Sequence, residues 1–199
     1  ACRVRPARGA PGPCRPRRGR QFHLEPALRG LVRVPLRAGQ EQQDAAATAE
    51  PLTGTRGQAL SDAASAHGIW LFAGTVPERD GDVLYNTAVV YGPDGRLEAA
   101  HRKVHLYTPL GEQHVFSAGT QPTVLHVDGI GTIGISTCFD GDHPAYARRL
   151  HDLGARVVVA PCAYEVAAES WWDILYPANA LANGQWWVMA NQCGGELLG

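Results

Sequence analysis

The chain has 199 residues, of which 45% are hydrophobic and 8% aromatic, and its formal net charge at pH 7 is −1. This composition is ordinary for a soluble globular domain and excludes a chain that is disordered throughout. No run of about 18 apolar residues could span a bilayer, and no signal peptide is recognisable, so we expect a cytoplasmic protein without membrane contact. The five cysteines are widely spaced without a C-x-x-C pair, which favours neither a disulfide framework nor a zinc ribbon.

The charges are unevenly distributed along the chain. Residues 1–40 contain ten Arg, six Pro and five Gly against one acid, Glu25, whereas residues 41–199 contain eighteen acids against eight basic residues. An Arg-rich arm can bind nucleic acid, but this one lacks interleaved aromatic residues and helical periodicity. We therefore interpret residues 1–40 as a disordered or out-of-frame segment and expect no nucleic-acid partner.

The first regular pattern after this segment is helical. TRGQALSDAASAHG predicts a helix that places Leu60, Ala63, Ala64 and His67 on one face and uses Gly68 as its C-cap. IWLFAG then predicts a buried strand. LYNTAVVYGPDGRLEAAHRK predicts two strands around a Pro-Asp-Gly turn, which together form a hairpin.

The second half of the chain continues with another pair of strands. TVLHVDGIGTIGISTCFD predicts two strands around a tight turn. HPAYARRLHDLGA predicts a helix with Asp142 as its cap and Pro144 in its first turn, and RVVVAPC predicts a strand. SWWDILYPANALANG predicts a helix bent or broken at Pro177, followed by the strand WWVMANQ. Strands that alternate with helices and hairpins predict a layered α/β protein with a mixed sheet.

Two patterns resemble ligand sites, but their context argues against them. Gly129, Gly131 and Gly134 spell G-x-G-x-x-G, yet the third glycine continues into the β-type stretch ISTC, where a dinucleotide site needs a helix. His101 and His105 have i, i+4 spacing, but HRKVHLY alternates like a strand and is expected to turn the two rings apart. We therefore expect neither a cofactor nor a metal ion.

Three polar residues form the best candidate for a reactive site. Lys103 is the only lysine in a chain with seventeen arginines, which favours a role for its compact ammonium rather than for charge alone. Cys138 ends the apolar strand TIGIST shortly before a predicted helix, a position that lowers the pKa of a thiol. A nucleophilic cysteine also needs a base or a cation; Lys103 can supply the cation, and Glu112 can orient the lysine or a substrate amine. The alternatives are a surface lysine and a cysteine that fills the sheet interior.

Several linked segments resemble the nitrilase or carbon-nitrogen hydrolase superfamily. They are EPLTGTRGQAL, LFAGTVPERDGDVLYNTAVVYGPDGRL, HRKVHLYTPLGE, GISTCFDGDHP, GARVVVAPCAY and WWDILYPANALANGQWWVMANQCGGELLG. The resemblance covers residues 49–199 in unbroken order. It implies an α/β fold, the α-β-β-α sandwich of the nitrilase type, and a Glu-Lys-Cys triad.

The resemblance also implies roles for individual residues. Cys138 is similar to the family's nucleophile, Lys103 to the lysine that stabilises the tetrahedral intermediate, and Glu112 to a second, substrate-positioning glutamate. The implied substrate contacts are Phe139, whose backbone N–H joins the oxyanion site, Tyr107 and Tyr164. The implied reaction is hydrolysis of a small linear amide or carbamoyl compound through a cysteine acyl-enzyme with release of ammonia, in a homodimer or higher homo-oligomer.

The chain departs from the family pattern at several places. The general-base glutamate of the family usually follows a proline at the end of an upstream strand, but here Leu36 follows Pro35. Glu41 is an alternative base, and Ala182 stands where the family often has a glutamate. The first strand and helix are not recognisable, and GGELLG ends the chain before the last strands of the fold. We expect a partial domain over residues 41–199, incomplete at both ends.

These departures leave two alternative functions open. Without a base, the chain is a catalytically impaired relic or subunit of the same fold, and Leu36 is the feature that indicates this. Nitrile hydrolysis is the second alternative, because it shares the covalent intermediate on Cys138.

Overall fold

The structure, a computed structural model, describes residues 45–164 and 168–191. Its first sheet is antiparallel and has the strand order β1-β2-β3. The strands are β1 at Leu71–Asp80, β2 at Val83–Tyr91 and β3 at Leu97–Arg102. Gly95, in the turn between β2 and β3, has φ 82°, in the left-handed region that favours glycine. The hairpin predicted around the Pro-Asp-Gly turn is confirmed.

Helix α1, Thr55–His67, packs on the outer face of this sheet. Its buried residues Leu60 and Ala64 contact side chains of β1 and β2, and Gly68 caps the helix at φ 59° as predicted. His67, in the last turn of the same helix, is exposed.

The second sheet has the order β4-β5-β6-β7. Its strands are β4 at Thr123–Val127, β5 at Gly131–Ile135, β6 at Val157–Cys162 and β7 at Trp186–Asn191. The first pair is antiparallel, whereas β5, β6 and β7 are parallel, as predicted for a mixed sheet. Helix α2, Pro144–Asp152, connects β5 to β6, and helix α3, Glu169–Asn183, connects β6 to β7. Parallel strands need such crossover connections.

The two sheets pack face to face and bury a common core. Ala88 and Val90 of β2 contact Leu125 of β4 and both Ile133 and Ile135 of β5. The intervening residues of β2 face α1, because successive side chains of a strand point to opposite faces. On the outer face of the second sheet, α2 and α3 cover β6. The order of layers is helix, sheet, sheet, helix, which confirms the predicted α-β-β-α sandwich.

Two local predictions about the helices need correction. The N-cap of α2 is His143 and not Asp142, because Cys138–Asp142 form a 3-10 turn whose last carboxylate accepts the hydroxyl of Tyr164 instead. Of the predicted bend or break at Pro177, the break does not occur, because helix α3 continues through this residue. This proline lies on the exposed side of the helix, where water can bond to the carbonyl that its missing N–H leaves free.

Helix α3 and strand β7 expose large apolar side chains. These are Trp171, Ile174, Leu181, Trp186 and Val188. Leu181 is 87% exposed and Trp186 is 78% exposed. Trp187 and Met189 pack against α3, so Trp186 and Val188 point to the opposite side of the second sheet from that helix. The exposed residues of α3, Trp171, Ile174 and Leu181, are here called the α3 face. None of the helices within the described ranges is long and apolar enough to cross a membrane.

Candidate active site

Lys103 lies immediately after β3 and points into the protein. Its side chain is 2% exposed, and Nζ donates to Oε2 of Glu112 at 2.7 Å. The backbone is fixed on both sides: N–H donates to the carbonyl of Asn86 at 2.8 Å, and the carbonyl accepts from Gly119 N–H at 2.8 Å. A buried ammonium held in this way is a fixed positive charge and not a mobile surface group.

Glu112 is held in place by donors from three segments. Besides Lys103, it accepts the backbone N–H of Tyr107 at 2.6 Å and the side-chain amide of Asn86 at 3.2 Å. It opens a 3-10 turn after Gly111, whose φ of 76° allows the chain to reverse there. The carboxylate therefore has a defined orientation toward Lys103.

Arg102 precedes Lys103 and points to the opposite face of β3. Its guanidinium donates to both carboxylate oxygens of Glu78, at 3.0 and 2.6 Å, and to Asp80 at 2.7 Å. Glu78 also accepts the hydroxyl of Thr87 at 2.5 Å. The two adjacent cations are thus separated by the alternation of the strand: the guanidinium faces the α1 side and the ammonium faces the second sheet.

Cys138 begins the 3-10 turn that follows β5, and its backbone is strained. Its φ is 47°, and among the described residues it is the one non-glycine with positive φ. Such a conformation costs on the order of 1–3 kcal/mol and persists only where the surroundings impose it. Gly141 in the same turn is required for packing, because a Cβ there would lie 2.4 Å from Oη of Tyr176.

Asp140 fixes this turn, a role that no local sequence pattern indicates. Its buried carboxylate accepts hydrogen bonds from four residues, two of them histidines. The donors are Thr137 N–H, Val104 N–H, His105 N–H and Nδ1, and Nε2 of His101, at distances between 2.8 and 3.2 Å. Burial alone would raise the pKa of Asp140, but the hydrogen bonds from His101 and His105 hold it well below the usual range.

The expectation that His101 and His105 point apart is wrong. Strand β3 ends at Arg102, and the chain then turns, so that both rings reach the same carboxylate of Asp140. His101 is fully buried and also contacts Oγ1 of Thr123 at 3.2 Å. In the described ranges, no group of three or more His, Cys, Asp or Glu side chains is arranged to hold a metal ion.

The thiol of Cys138 is in an environment that favours its ionised form. The neighbouring thiol of Cys162, the positive charge of Lys103 and the backbone N–H of Ala163 together lower the pKa of Cys138 to about 7, against the opposing effect of burial. At neutral pH a substantial fraction of this thiol is therefore thiolate, the form that acts as a nucleophile.

The three residues predicted to contact substrate lie in two aromatic groups. Tyr107 and Phe139 form an edge contact with ring centroids 5.0 Å apart, next to His143. Tyr164 belongs to the other group: its hydroxyl bonds to Asp142 and lies 3.2 Å from Oη of Tyr176, close to Trp172. Both groups adjoin the turn of Cys138, because Phe139 is in that turn and Tyr176 donates to the Cys138 carbonyl at 2.9 Å.

Three further positions were compared with glutamates of the family: Leu36, Glu41 and Ala182. Leu36 and Glu41 lie outside the described residues. Ala182 is exposed near the end of α3, whereas the neighbouring Asn183 is buried and donates to the carbonyl of Asn179 at 3.0 Å. Within the described part of the chain, Glu112 is the carboxylate that hydrogen-bonds to Lys103.

Curated relatives of this chain include omega-amidases. It is 34% identical over 151 residues to the chloroplastic omega-amidase of Arabidopsis thaliana, which corresponds to 72% of this chain and 40% of that protein. It is 32% identical over 143 residues to omega-amidase NIT2 of Xenopus tropicalis, with 68% and 51% covered. The chain thus spans about half the length, or less, of these two relatives.

Solved structures show the same fold. Nit3 of Saccharomyces cerevisiae, a member of the nitrilase superfamily, aligns with a TM-score of 0.70 and 27% identity over 80% of this chain and 58% of that one. An amidase mutant from Nesterenkonia in complex with butyramide aligns with a TM-score of 0.60 and 27% identity over 80% and 56%. Another mutant of that amidase carries acrylamide added to its active-site cysteine, with a TM-score of 0.61 and 27% identity over 84% and 60%.

The sequence profile of the carbon-nitrogen hydrolase family matches residues 33–199, which is most of the chain. With the sandwich fold and the amidase relatives, this match shows that the chain belongs to the carbon-nitrogen hydrolase family of the nitrilase superfamily.

Proposed function

We propose that this protein hydrolyses a small linear amide or carbamoyl compound through a thioester on Cys138 and releases ammonia. The observation that carries the proposal is the strained Cys138, whose thiol pKa is lowered beside the ion pair of buried Lys103 and partly exposed Glu112. Relatives that are omega-amidases, and a related amidase with butyramide bound, support an amide as the substrate.

In this proposal the thiolate of Cys138 attacks the amide carbon, and the π electrons of the carbonyl move to oxygen. Lys103 Nζ and the backbone N–H of Phe139 stabilise the resulting oxyanion, a contribution of about 2.7–4 kcal/mol per donor in other enzymes. The tetrahedral intermediate collapses, the carbon–nitrogen bond breaks and ammonia leaves after it gains a proton. Water then attacks the thioester, the acid is released and the thiol of Cys138 is restored.

Glu112 orients Lys103 in this mechanism, since its carboxylate is 2.7 Å from Nζ. Leu36, where the resemblance implies a general base, cannot accept a proton. Without a base we expect turnover to fall by on the order of 10²–10⁴. A catalytically impaired member of the family is therefore the second candidate, and Leu36 is the residue that favours it. We propose an amide rather than a nitrile because the relatives are amidases.

We also propose that the protein is cytoplasmic and forms a homo-oligomer. The support for association is the α3 face, where Trp171, Ile174 and Leu181 are exposed. Exposed apolar patches of this kind mark surfaces that other protein covers.

The test separates acylation from turnover. The full chain is incubated with butyramide, the thioester is detected by intact-protein mass spectrometry, and ammonia is measured in parallel. We expect an acyl adduct on Cys138, ammonia released in an amount equal to that adduct and then only slow further release, and no adduct in Cys138→Ser. Ammonia release without any dependence on Cys138 would refute the proposed nucleophile. Rapid, Cys138-dependent ammonia release would show that a working base exists and would exclude the impaired alternative.

A further inference from the structure

Tyr176 of α3 reaches the backbone of the nucleophile. Its side chain is buried, and its hydroxyl donates to the carbonyl oxygen of Cys138 at 2.9 Å. This bond joins a helix of the outer layer to a residue with a strained backbone. The mechanism described above uses the thiol of Cys138 and the N–H of Phe139, but it gives the tyrosine no role.

Tyr176 has one hydroxyl proton and three neighbouring atoms that could accept it. The carbonyl oxygen of Cys138 is at 2.9 Å, Oη of Tyr164 at 3.2 Å and Sγ of Cys162 at 3.6 Å. Sulfur is a weak acceptor, and a hydrogen bond weakens as its two atoms move apart. The hydroxyl of Tyr164 donates elsewhere, to the carboxylate of Asp142. The proton of Tyr176 is therefore directed to the carbonyl of Cys138.

Helix α3 holds the turn of Cys138 at a second point. Asn179, three residues after Tyr176 and so on the same face of the helix, donates from Nδ2 to the carbonyl of Gly141 at 2.8 Å. Gly141 allows the close approach, because a Cβ there would overlap Oη of Tyr176. The tyrosine ring also packs edge-on against Trp187 of β7, with ring centroids 5.1 Å apart. The phenol is thus fixed beside the turn.

The carbonyl of Cys138 and the N–H of Phe139 belong to one peptide unit. This unit is planar and trans, so its C=O and N–H point in opposite directions. A donor that fixes the carbonyl therefore fixes the N–H as well, and the N–H faces away from Tyr176. In the same turn, Asp140 N–H donates to the carbonyl of Thr137, whereas no residue of the described ranges accepts the N–H of Phe139.

We propose that Tyr176 is a positioning residue for the oxyanion site: it holds the peptide unit between Cys138 and Phe139 so that the N–H of Phe139 points at the oxygen of the tetrahedral intermediate. Its bond also polarises this peptide unit, because hydrogen bonds in a chain strengthen one another. The inference rests on the proposed function, which assigns the N–H of Phe139 to the oxyanion. Tyr176 acts through the peptide unit and not by contact with the reacting atoms.

Two reagents that react with the same thiol separate this role from a structural one. With p-nitrophenyl butyrate, the thiolate attacks the carbonyl carbon, the oxygen becomes an oxyanion, and collapse to the thioester expels p-nitrophenolate. With iodoacetamide, the thiolate displaces iodide from carbon and no oxyanion forms. A residue that orients the oxyanion donor should affect acylation alone, whereas a residue that only holds the fold should affect both reactions.

The full chain is compared with Tyr176→Phe, which removes only the hydroxyl, and with Tyr146→Phe as the matched control. The buried hydroxyl of Tyr146 also donates to a backbone carbonyl, that of Ile135 at 2.8 Å, but this carbonyl lies outside the turn. Acylation is measured as the burst of p-nitrophenolate that Cys138→Ser lacks, and alkylation by mass spectrometry of the Cys138 peptide.

We expect acylation of Tyr176→Phe to be slower by about tenfold to a hundredfold, part of the effect of losing an oxyanion donor. Its alkylation, and both reactions of Tyr146→Phe, should proceed at the parental rates. Gly141→Ala breaks the same contact from the other side, since it keeps the hydroxyl of Tyr176 but places a Cβ against it. This variant should also lose acylation and keep alkylation.

Parental acylation in Tyr176→Phe or in Gly141→Ala would overturn the inference. An equal fall of both reactions in these variants would overturn it too, because Tyr176 would then only hold the fold. The ester carries its own leaving group, so the readout does not depend on amide turnover. If butyramide gives no thioester but ester acylation falls selectively in Tyr176→Phe, the amidase proposal fails and the role of Tyr176 stands.

Discussion

Nε2 of His101 lies 3.0 Å from a carboxylate oxygen of Asp140, and this contact joins the two sheets of the sandwich beside the candidate active site. His101 belongs to β3 and precedes Lys103 by two residues, whereas Asp140 belongs to the turn after β5 and follows Cys138 by two residues. The distance between ammonium and thiol is therefore set by a buried hydrogen bond between their neighbours.

The first prediction concerns Asp140→Asn, in which an NH₂ group replaces one acceptor oxygen and faces the N–H donors. Because the carboxylate is fully buried and each oxygen has donors, we expect a loss of about 3–5 kcal/mol in the free energy of unfolding. Urea unfolding measures this loss. Asp128→Asn, at an exposed carboxylate, is the matched control and should unfold like the parent. A parental midpoint for Asp140→Asn would show that the hydrogen bonds contribute little.

The second prediction is an acid dependence of stability that arises from the same residue. The pKa of Asp140 is lower in the folded protein than its unfolded value of about 3.9, so the unfolded state binds the proton more readily. The contribution of Asp140 is then present above about pH 4 and is lost as pH falls toward the folded pKa. Urea midpoints measured from neutral pH downward should decline less steeply in Asp140→Asn than in the parent or in Asp128→Asn. Parallel declines in all three proteins would contradict the assignment.

The third prediction is that Lys103→Arg keeps the fold and loses acylation. Arginine retains the charge, but its planar fork cannot take the place of a point-like ammonium that is 2% exposed and 2.7 Å from Glu112. We expect the rate of thioester formation with butyramide to fall by on the order of 10²–10³, as for a lost oxyanion donor. Arg148→Lys, on the exposed side of α2, is the control: it also exchanges one basic side chain for the other, and it should acylate like the parent. If Lys103→Arg forms the thioester at nearly the parental rate, Lys103 does not act in acylation and its role is structural.

The fourth prediction concerns the α3 face. Ile174 and Leu181 are 68% and 87% exposed, so replacing both with glutamate should cost little stability and should reduce association of the parent. Light scattering during size-exclusion chromatography measures the mass at several concentrations. Leu150→Glu, at a fully buried position of α2, is the contrasting variant and should unfold the protein. If the double variant keeps the mass of the parent, association does not use this face.

The sequence predicted those features that depend on neighbouring residues. The helix that ends at Gly68, the hairpin that turns at Gly95 and the strand order within each pair follow from local periodicity and turn chemistry. The positive φ of Cys138 and the role of Asp140 could not be predicted in this way, since they depend on donors 35 to 39 residues away. Nothing in the local sequence CFDGD indicates that the partners of Asp140 include two distant histidines, because His101 and His105 are brought to Asp140 only by the fold. The error at Asp142 has the same origin, because its partner Tyr164 is 22 residues away.

The side chains of Arg102 and Lys103 point to opposite faces of β3. The proposed reaction therefore requires the correct register between β3 and β2. Arg102 pairs with Thr87 in register and is clamped by both oxygens of Glu78, so the guanidinium fixes which face of the strand each residue occupies. A slip of one residue would turn every side chain of β3 to the other face. The guanidinium would then enter the space beside Cys138, and the ammonium would face the α1 side. The ion pairs of Arg102 with Glu78 and Asp80 therefore favour the register in which the Lys103 ammonium faces the second sheet.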